Sequence, residues 1–273
     1  TYRIKAYEIA EGSRISKGMN IVNILPLESE EKITAIIRVP REQDESLKYL
    51  CMFTKKGIVK RSEISAYNNI RKSGVIAITL DDDDELIHVS ATTGEDDIFL
   101  ATKKGMCIRF NENDARVIGR TARGVRAINL KDGDEIAGAD VIKENCYVLT
   151  VSETGYGRRS EITDYRIQNR GGLGLINYRP AEYGDVAAVR IVSGDEDIIL
   201  ISSDGIIIRI PSDSISVFSR PSKGVRVMKV GDDQRVITMT CLERDENAES
   251  DTDSENYTDE SNETVSQDNE YQD

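Results

Sequence analysis

A pattern of about fifty residues recurs along this chain, and it limits the fold more than any other feature. Four segments align: Tyr49-Leu50-Cys51-Met52-Phe53-Thr54-Lys55-Lys56-Gly57, Ile98-Phe99-Leu100-Ala101-Thr102-Lys103-Lys104-Gly105, Tyr147-Val148-Leu149-Thr150-Val151-Ser152-Glu153-Thr154-Gly155 and Ile198-Ile199-Leu200-Ile201-Ser202-Ser203-Asp204-Gly205. Their glycines are spaced 48, 50 and 50 residues apart. A base follows each by four positions: Arg61, Arg109, Arg159 and Arg209. A second glycine recurs at Gly18, Gly74, Gly124, Gly174 and Gly224. Units of this kind bury their apolar faces against their neighbours and not within themselves.

Each unit reads as four short strands. An apolar first strand turns through a Lys-Lys-Gly type hairpin, where glycine suits a left-handed loop position. A long polar connection follows. The second glycine opens a third strand, such as Val125-Arg126-Ala127-Ile128-Asn129-Leu130, and an acidic turn (Lys131 to Asp134) leads to a fourth strand, Glu135 to Val141. Ile and Val dominate, and no long helical period appears. The expected class is all-β, a propeller-like disc of four-stranded blades with almost no helix. The repeats span about 1–46, 47–96, 97–145, 146–196 and 197–242. The first is partial. Its turn glycine would lie two residues before Thr1, so the natural chain is expected to extend further N-terminal.

The net charge of −13 resolves into two objects. Residues 243–273 hold 13 of the 49 acids and a single base, Arg244, a composition that cannot bury enough apolar surface to fold. Residues 1–242 hold 36 acids and 35 bases, a nearly neutral body. No run of about 18 apolar residues is present, and Thr1-Tyr2-Arg3-Ile4-Lys5 reads as a strand and not as a secretory signal. Cys51, Cys107, Cys146 and Cys241 form no CxxC pair, and His88 is the one histidine, which argues against zinc and for free thiols in a reducing cytoplasm. His88 falls on a fourth strand and reads as a packed residue. No phosphate-binding P-loop, Cys/His dyad or other catalytic constellation appears, so the chain itself carries no catalytic residues.

Charge is segregated within the repeat. Bases gather on the second strand and the connection after it: Arg3, Lys5, Arg14 and Lys17; Lys60, Arg61, Arg71 and Lys72; Arg109, Arg116, Arg120 and Arg123; Arg158, Arg159, Arg166 and Arg170; Arg209, Arg220 and Lys223. Acids gather in the turns, as in Asp81 to Glu85 and Asp195-Glu196-Asp197. Equal positions in a rotational repeat map to equal places around a disc. The predicted result is a basic circumference suited to the phosphates of duplex DNA, read by charge and not by sequence. Few aromatics lie on these connections, which disfavours single-strand stacking. The loop Gln168-Asn169-Arg170-Gly171-Gly172-Leu173-Gly174 is either a backbone approach to phosphate or a tight turn.

The opening Tyr2-Arg3-Ile4-Lys5-Ala6-Tyr7-Glu8-Ile9, the Phe53 to Gly57 and Ala101 to Gly105 turns, and Gly155-Tyr156-Gly157-Arg158-Arg159-Ser160-Glu161-Ile162 resemble the C-terminal domain of bacterial DNA gyrase A, in the type IIA DNA topoisomerase family. The resemblance covers residues 1–242, and the acidic tail also fits it. It implies a β-pinwheel, a six-bladed disc that wraps duplex DNA on its basic edge and lets gyrase introduce negative supercoils using ATP. The implied partners are duplex DNA, the rest of gyrase A, and gyrase B. The implied location is the cytoplasm, at the nucleoid, with no membrane. No cofactor is expected in this stretch, since ATP and magnesium belong to the holoenzyme. The family's box, Gln-Arg-Arg-Gly-Gly-Lys-Gly, belongs to the first blade; Gln168 to Gly174 is similar to a degenerate copy, with Asn169 and Leu173 in place of bases. The C-terminal domain of the corresponding topoisomerase IV protein and a propeller serving as a protein-interaction scaffold stay as alternatives.

Overall fold

A run such as Ile98-Phe99-Leu100-Ala101 shows no polar alternation, so a strand built from it has two apolar faces to cover. The computed structural model, which describes residues 1–13, 16–28, 31–37 and 46–244, shows what covers them. The chain divides into two compact units, Thr1–Glu243 and Arg244–Asp273. Of the second unit only Arg244 is described, so the acidic tail lies outside the described residues.

Fifteen strands form among the described residues: β1 (Tyr49–Thr54), β2 (Ile58–Glu63), β3 (Leu86–Thr92), β4 (Asp97–Thr102), β5 (Met106–Asn111), β6 (Val125–Arg126), β7 (Ile136–Val141), β8 (Tyr147–Ser152), β9 (Tyr156–Glu161), β10 (Leu175–Ile176), β11 (Val186–Val192), β12 (Glu196–Ser202), β13 (Ile207–Pro211), β14 (Val225–Arg226) and β15 (Val236–Glu243). Short 3-10 turns and one helical turn, Pro180–Tyr183, complete the first unit, and no described helix is long and apolar enough to cross a membrane. The strands make four antiparallel sheets in a propeller-like ring, ordered β3-β1-β2-β6, β7-β4-β5-β10, β11-β8-β9-β14 and β15-β12-β13. The innermost strands β3, β7, β11 and β15 pack each against the next.

The sheets are not drawn from single units. Val125 to Leu130 was expected to be the third strand of its own blade; only Val125–Arg126 is strand, and it adds to the sheet of the preceding unit, pairing Ile58↔Arg126 and Val59↔Val125. β10 joins β5 and β14 joins β9 in the same way. Thr1 and Val75 repeat the exchange, with backbone hydrogen bonds of 2.9 and 3.0 Å in the two directions. The strand ends early because the chain then turns inward. Ala127 N–H donates to Gly57 O at 2.8 Å, and Ala127 and Ile128 are buried in the core.

That core lies between sheets. Cys51, Phe53 and Val59 of one sheet pack with Ile98, Leu100, Ile108 and Phe110 of the next. The opposite face of β4, Phe99 and Ala101, packs with Val148, Tyr165, Tyr178 and Val189 beyond it. Leu149 and Val151 then meet Ile198, Leu200, Met228 and Met239. Both faces of the first strands are thereby covered, which accounts for their unbroken apolar runs. His88 is packed as expected, its ring stacked on Phe53 with centroids 6.2 Å apart and its Nε2 2.9 Å from Ser90 Oγ.

The exchange brings backbone onto glycine. Gly155 has φ +80°, and a Cβ there would lie 2.1 Å from the Met228 carbonyl oxygen. Gly205 holds the same hairpin position at φ +85° with nothing within 4 Å, because no described strand adds to β13. Gly205→Ala should therefore cost about 1–2 kcal/mol, the left-handed penalty alone. Gly155→Ala should cost about 1–3 kcal/mol more, from overpacking against fixed backbone. Urea unfolding of the two variants measures the difference.

The cores also make the fold sensitive to alkali. Burial pushes the Cys51 and Cys107 thiols up from 9.0 to about 12 and the Tyr165 phenol up from 10.0 to about 12. The folded chain keeps these protons while the unfolded chain releases them, so stability falls as pH rises from about 9 to about 12. Lys60 acts the other way. Burial, helped by the Arg120 guanidinium, lowers it from 10.5 to about 8, which adds stability between those values. Burial raises the Cys146 and Cys241 thiols and the Tyr67 and Tyr178 phenols as well, so the raised groups outweigh Lys60 and should give a net loss above pH about 9, read from urea midpoints across that range.

Candidate nucleic-acid interface

The base four residues after each hairpin glycine is an inter-unit connector. Arg61 reaches Glu112 of the next unit at 3.3 Å and Asn113 at 2.9 Å, and it lies over the Tyr49 ring. Glu112 is fully buried and accepts in addition from Thr92 Oγ1, Gly94 N–H and Asp96 N–H. Arg109 pairs with Asp97 at 2.8 Å and donates to the Ile162 and Tyr165 carbonyls of the following unit. Arg159 donates to the Ile215 and Asp213 carbonyls at 2.7 and 2.9 Å. Arg209, the exception, pairs with Asp197 of its own unit at 2.7 Å and is half exposed.

Lys60 and Arg158, one residue earlier, are completely buried. Lys60 Nζ donates to the Ala77 and Arg120 carbonyls. Arg158 donates to the Ser222 carbonyl at 3.0 Å, to the Asn177 carbonyl and to Asn177 Oδ1. These bonds compensate most of the donors sealed in this way, with Arg158 Nη1 alone of the two side chains' nitrogens left without a hydrogen-bond partner. Their expected place on a basic circumference is corrected: neither side chain reaches solvent, because each holds its own connection and the next one together. Arg61 and Arg159, at 6% and 9% exposure, are likewise committed to the neighbouring unit.

The other candidates divide by exposure. Arg71, Lys72, Arg116, Arg123 and Arg166 stand exposed on the connections. Arg120, Arg170, Arg220 and Lys223 are half-buried. Arg170 Nη1 donates to the Arg126 carbonyl and Arg220 Nη1 to the Ile176 carbonyl, so each ties its connection to the outer strand before it. Lys223 Nζ lies 3.7 Å over the Tyr156 ring. In the first repeat Arg3, Lys5 and Lys17 are exposed, and Arg3 donates to the Asn68 carbonyl; Arg14 lies outside the described residues. Sequence reasoning missed Arg126 and Arg226, both exposed on the outermost strands β6 and β14. Their signal was positional, two residues after the second glycine.

Gln168 to Gly174 is a fixed turn. Gly171 N–H donates to the Ala127 carbonyl at 2.7 Å, the Gly172 carbonyl accepts from Asn129 N–H at 2.9 Å, and Gly171 and Gly174 have φ of +79° and +81°. Leu173 is 63% exposed at its tip. At the hairpin end, the lysines meet the acidic turns: Lys55 and Lys103 share Glu135, and Lys104 pairs with Asp185 of the next unit.

Blades completed by a strand from the following unit, with bases along the edge where that strand adds, define a strand-exchanged propeller of the pinwheel type. The sequence matches the family described as DNA gyrase C-terminal domain, beta-propeller, over residues 1–40, 48–93, 96–143, 147–193 and 196–243, and the chain belongs to that family. The DNA gyrase A protein of Staphylococcus aureus (strain NCTC 8325 / PS 47) is 42% identical over 270 residues, 98% of this chain and 30% of that protein. The chain thus spans about a third of its curated relatives' length. A solved C-terminal domain of DNA topoisomerase IV superposes with a TM-score of 0.76 at 27% identity, over 83% of this chain and 71% of the other. A solved DNA gyrase A C-terminal domain superposes with a TM-score of 0.73 at 28% identity, over 88% and 78%.

The division between sealed and exposed bases is testable by stability. Arg158→Met leaves buried carbonyls without their donor and should destabilise by about 2–4 kcal/mol. Arg166→Gln, on the surface, should change stability by less than about 0.5 kcal/mol. Chemical denaturation of both variants provides the comparison.

Proposed function

We propose that this chain is a non-catalytic module that binds and wraps duplex DNA, and that it supports ATP-dependent negative supercoiling by the gyrase to which it belongs. The observation that carries this reading is the placement of the exposed bases. Arg126 and Arg226 stand exposed on the exchanged outer strands, with Arg123 exposed just before the first of them, and Arg71, Lys72, Arg116 and Arg166 are exposed elsewhere on the connections. The acidic turns are engaged mainly with hairpin lysines, though Asp81 also pairs with Arg123 in an exposed bridge. A row of cations on rigid backbone, in a body of near-zero net charge, offers contacts to phosphate without base readout. In this reading the partners are duplex DNA, the rest of gyrase A, and gyrase B, at the nucleoid in the cytoplasm. ATP and magnesium act elsewhere in the holoenzyme.

Membership in topoisomerase IV is the second reading, favoured by the superposition on that enzyme's C-terminal domain. Negative supercoiling of a relaxed plasmid by the whole enzyme supports gyrase, and its absence supports topoisomerase IV.

The binding prediction follows from counterion release. With about five to eight phosphates neutralised, log K against log salt for random-sequence duplex should slope at roughly −4.5 to −7. The triple variant Arg123→Glu, Arg126→Glu, Arg226→Glu should weaken binding to unrelated sequences alike. A slope near zero in the unsubstituted protein overturns the reading.

A further inference from the structure

The fifty-residue repeat conceals a hundred-residue one. Three places after the hairpin glycine stand Lys60, Ile108, Arg158 and Ile208; five places after, Ser62, Phe110, Ser160 and Ile210; ten places after, Tyr67, Ala115, Tyr165 and Ile215. Eight places before the glycine stand Tyr49, Asp97, Tyr147 and Asp197. Units therefore come in two kinds that alternate.

The structure gives the alternation a physical meaning. In the second and fourth units the polar set clamps the connection that follows. Ser62 Oγ donates to the Ile118 carbonyl at 2.8 Å and Ser160 Oγ to the Phe218 carbonyl at 2.6 Å, beside the Lys60 and Arg158 contacts to Arg120 and Ser222. Parallel bridges Arg61↔Val117 and Arg159↔Val217 accompany them. The clamped connections are those of the third and fifth units. In the third unit the corresponding Ile108 and Phe110 are core residues, and the fourth unit's connection is held instead by Arg109 and by backbone bonds such as Gln168 N–H to the Arg109 carbonyl at 2.8 Å.

The surface alternates in step. The residues just before and two after the second glycine are Arg123 and Arg126 in the third unit, and Lys223 and Arg226 in the fifth. In the second and fourth they are Ser73 and Ile76, and Leu173 and Ile176. Ile76, Leu173 and Ile176 are 66%, 63% and 50% exposed, so they serve no core. Arg123 meets Asp81, but that pair is exposed and weak, so a phosphate can displace the carboxylate. Arg226 donates to Tyr156 OH at 2.8 Å, which holds the guanidinium at the surface.

We propose that duplex DNA is gripped at every second unit, by Arg123 with Arg126 and by Lys223 with Arg226. The clamped connections hold these bases in place for phosphate. The intervening unit carries the apolar Leu173 and Ile176 at the corresponding two positions. This rests on the DNA-binding reading above and adds the spacing of the grip.

Two variants of the full chain, each lacking four positive charges, test it against random-sequence duplex. One carries Arg123→Gln, Arg126→Gln, Lys223→Gln and Arg226→Gln; the other carries Arg71→Gln, Lys72→Gln, Arg166→Gln and Arg179→Gln. The first should flatten the salt slope by up to about 3.6, at roughly 0.9 for each phosphate no longer neutralised, and the second by less than about 1. A gain variant, Leu173→Lys with Ile176→Arg, should steepen the slope by up to about 1.8, a result that no loss of folding can imitate. Equal flattening by the two quadruple variants, or a gain variant with an unchanged slope, overturns the alternation while DNA binding stands. An unsubstituted protein with no salt-dependent binding overturns both.

Discussion

The exchange of the outer strand is the constraint on which the rest depends. A unit of this chain holds three strands of its own sheet, and the fourth comes from the unit after it. No unit completes its backbone pairing without its successor, and unpaired sheet edges are a liability that the exchange removes at each junction. The same crossing sets Met228 backbone over Gly155 and Gly157 backbone against Gly224, at distances only a residue without Cβ accepts. At Gly57, Gly105 and Gly155 and at Gly74, Gly124, Gly174 and Gly224 the two series thus answer one geometric event, the passage of a connection across a hairpin and along its edge, while Gly205 and Gly18 meet only the demand for positive φ.

Packing follows the same logic. Apolar clusters lie between sheets and not within them. A connection that crosses from one unit to the next carries carbonyls into this interior, and they need donors. The chain supplies long cationic side chains: Lys60 and Arg158 to carbonyls on both sides of a junction, and Arg61, Arg109 and Arg159 to the 3-10 turn that follows the second strand of the next unit. Arginine suits this place because its planar fork presents several donors at once and stays charged. Much of the recurring positive charge is consumed in holding units together.

The remaining bases work from a rigid base. Arg126 and Arg226 sit on exchanged strands whose backbone is paired, and the connections before them are tied down at several carbonyls. Cations on fixed backbone lose little conformational freedom when they meet a phosphate. A body of nearly balanced charge can then present a positive edge without the self-repulsion of a strongly basic domain.

The repeat, the all-β class, the hairpin glycines and the family were legible from residue order, because strand period and turn chemistry act over a few residues and spacing counts them. His88 as a packed residue was legible for the same reason. Arg61, Arg158 and Arg159 were not read as connectors, since recurrence marks a position without saying which way its side chain points. Val125 to Leu130 was legible as a strand start but not as a strand given away, because pairing partners fifty or more residues distant leave no local trace. The sequence by itself determined the units and where each turns. Only the tertiary structure decided which sheet each outer strand joins and which cations face solvent, because both depend on the neighbouring unit's backbone, a surface that exists only when two units are folded against each other.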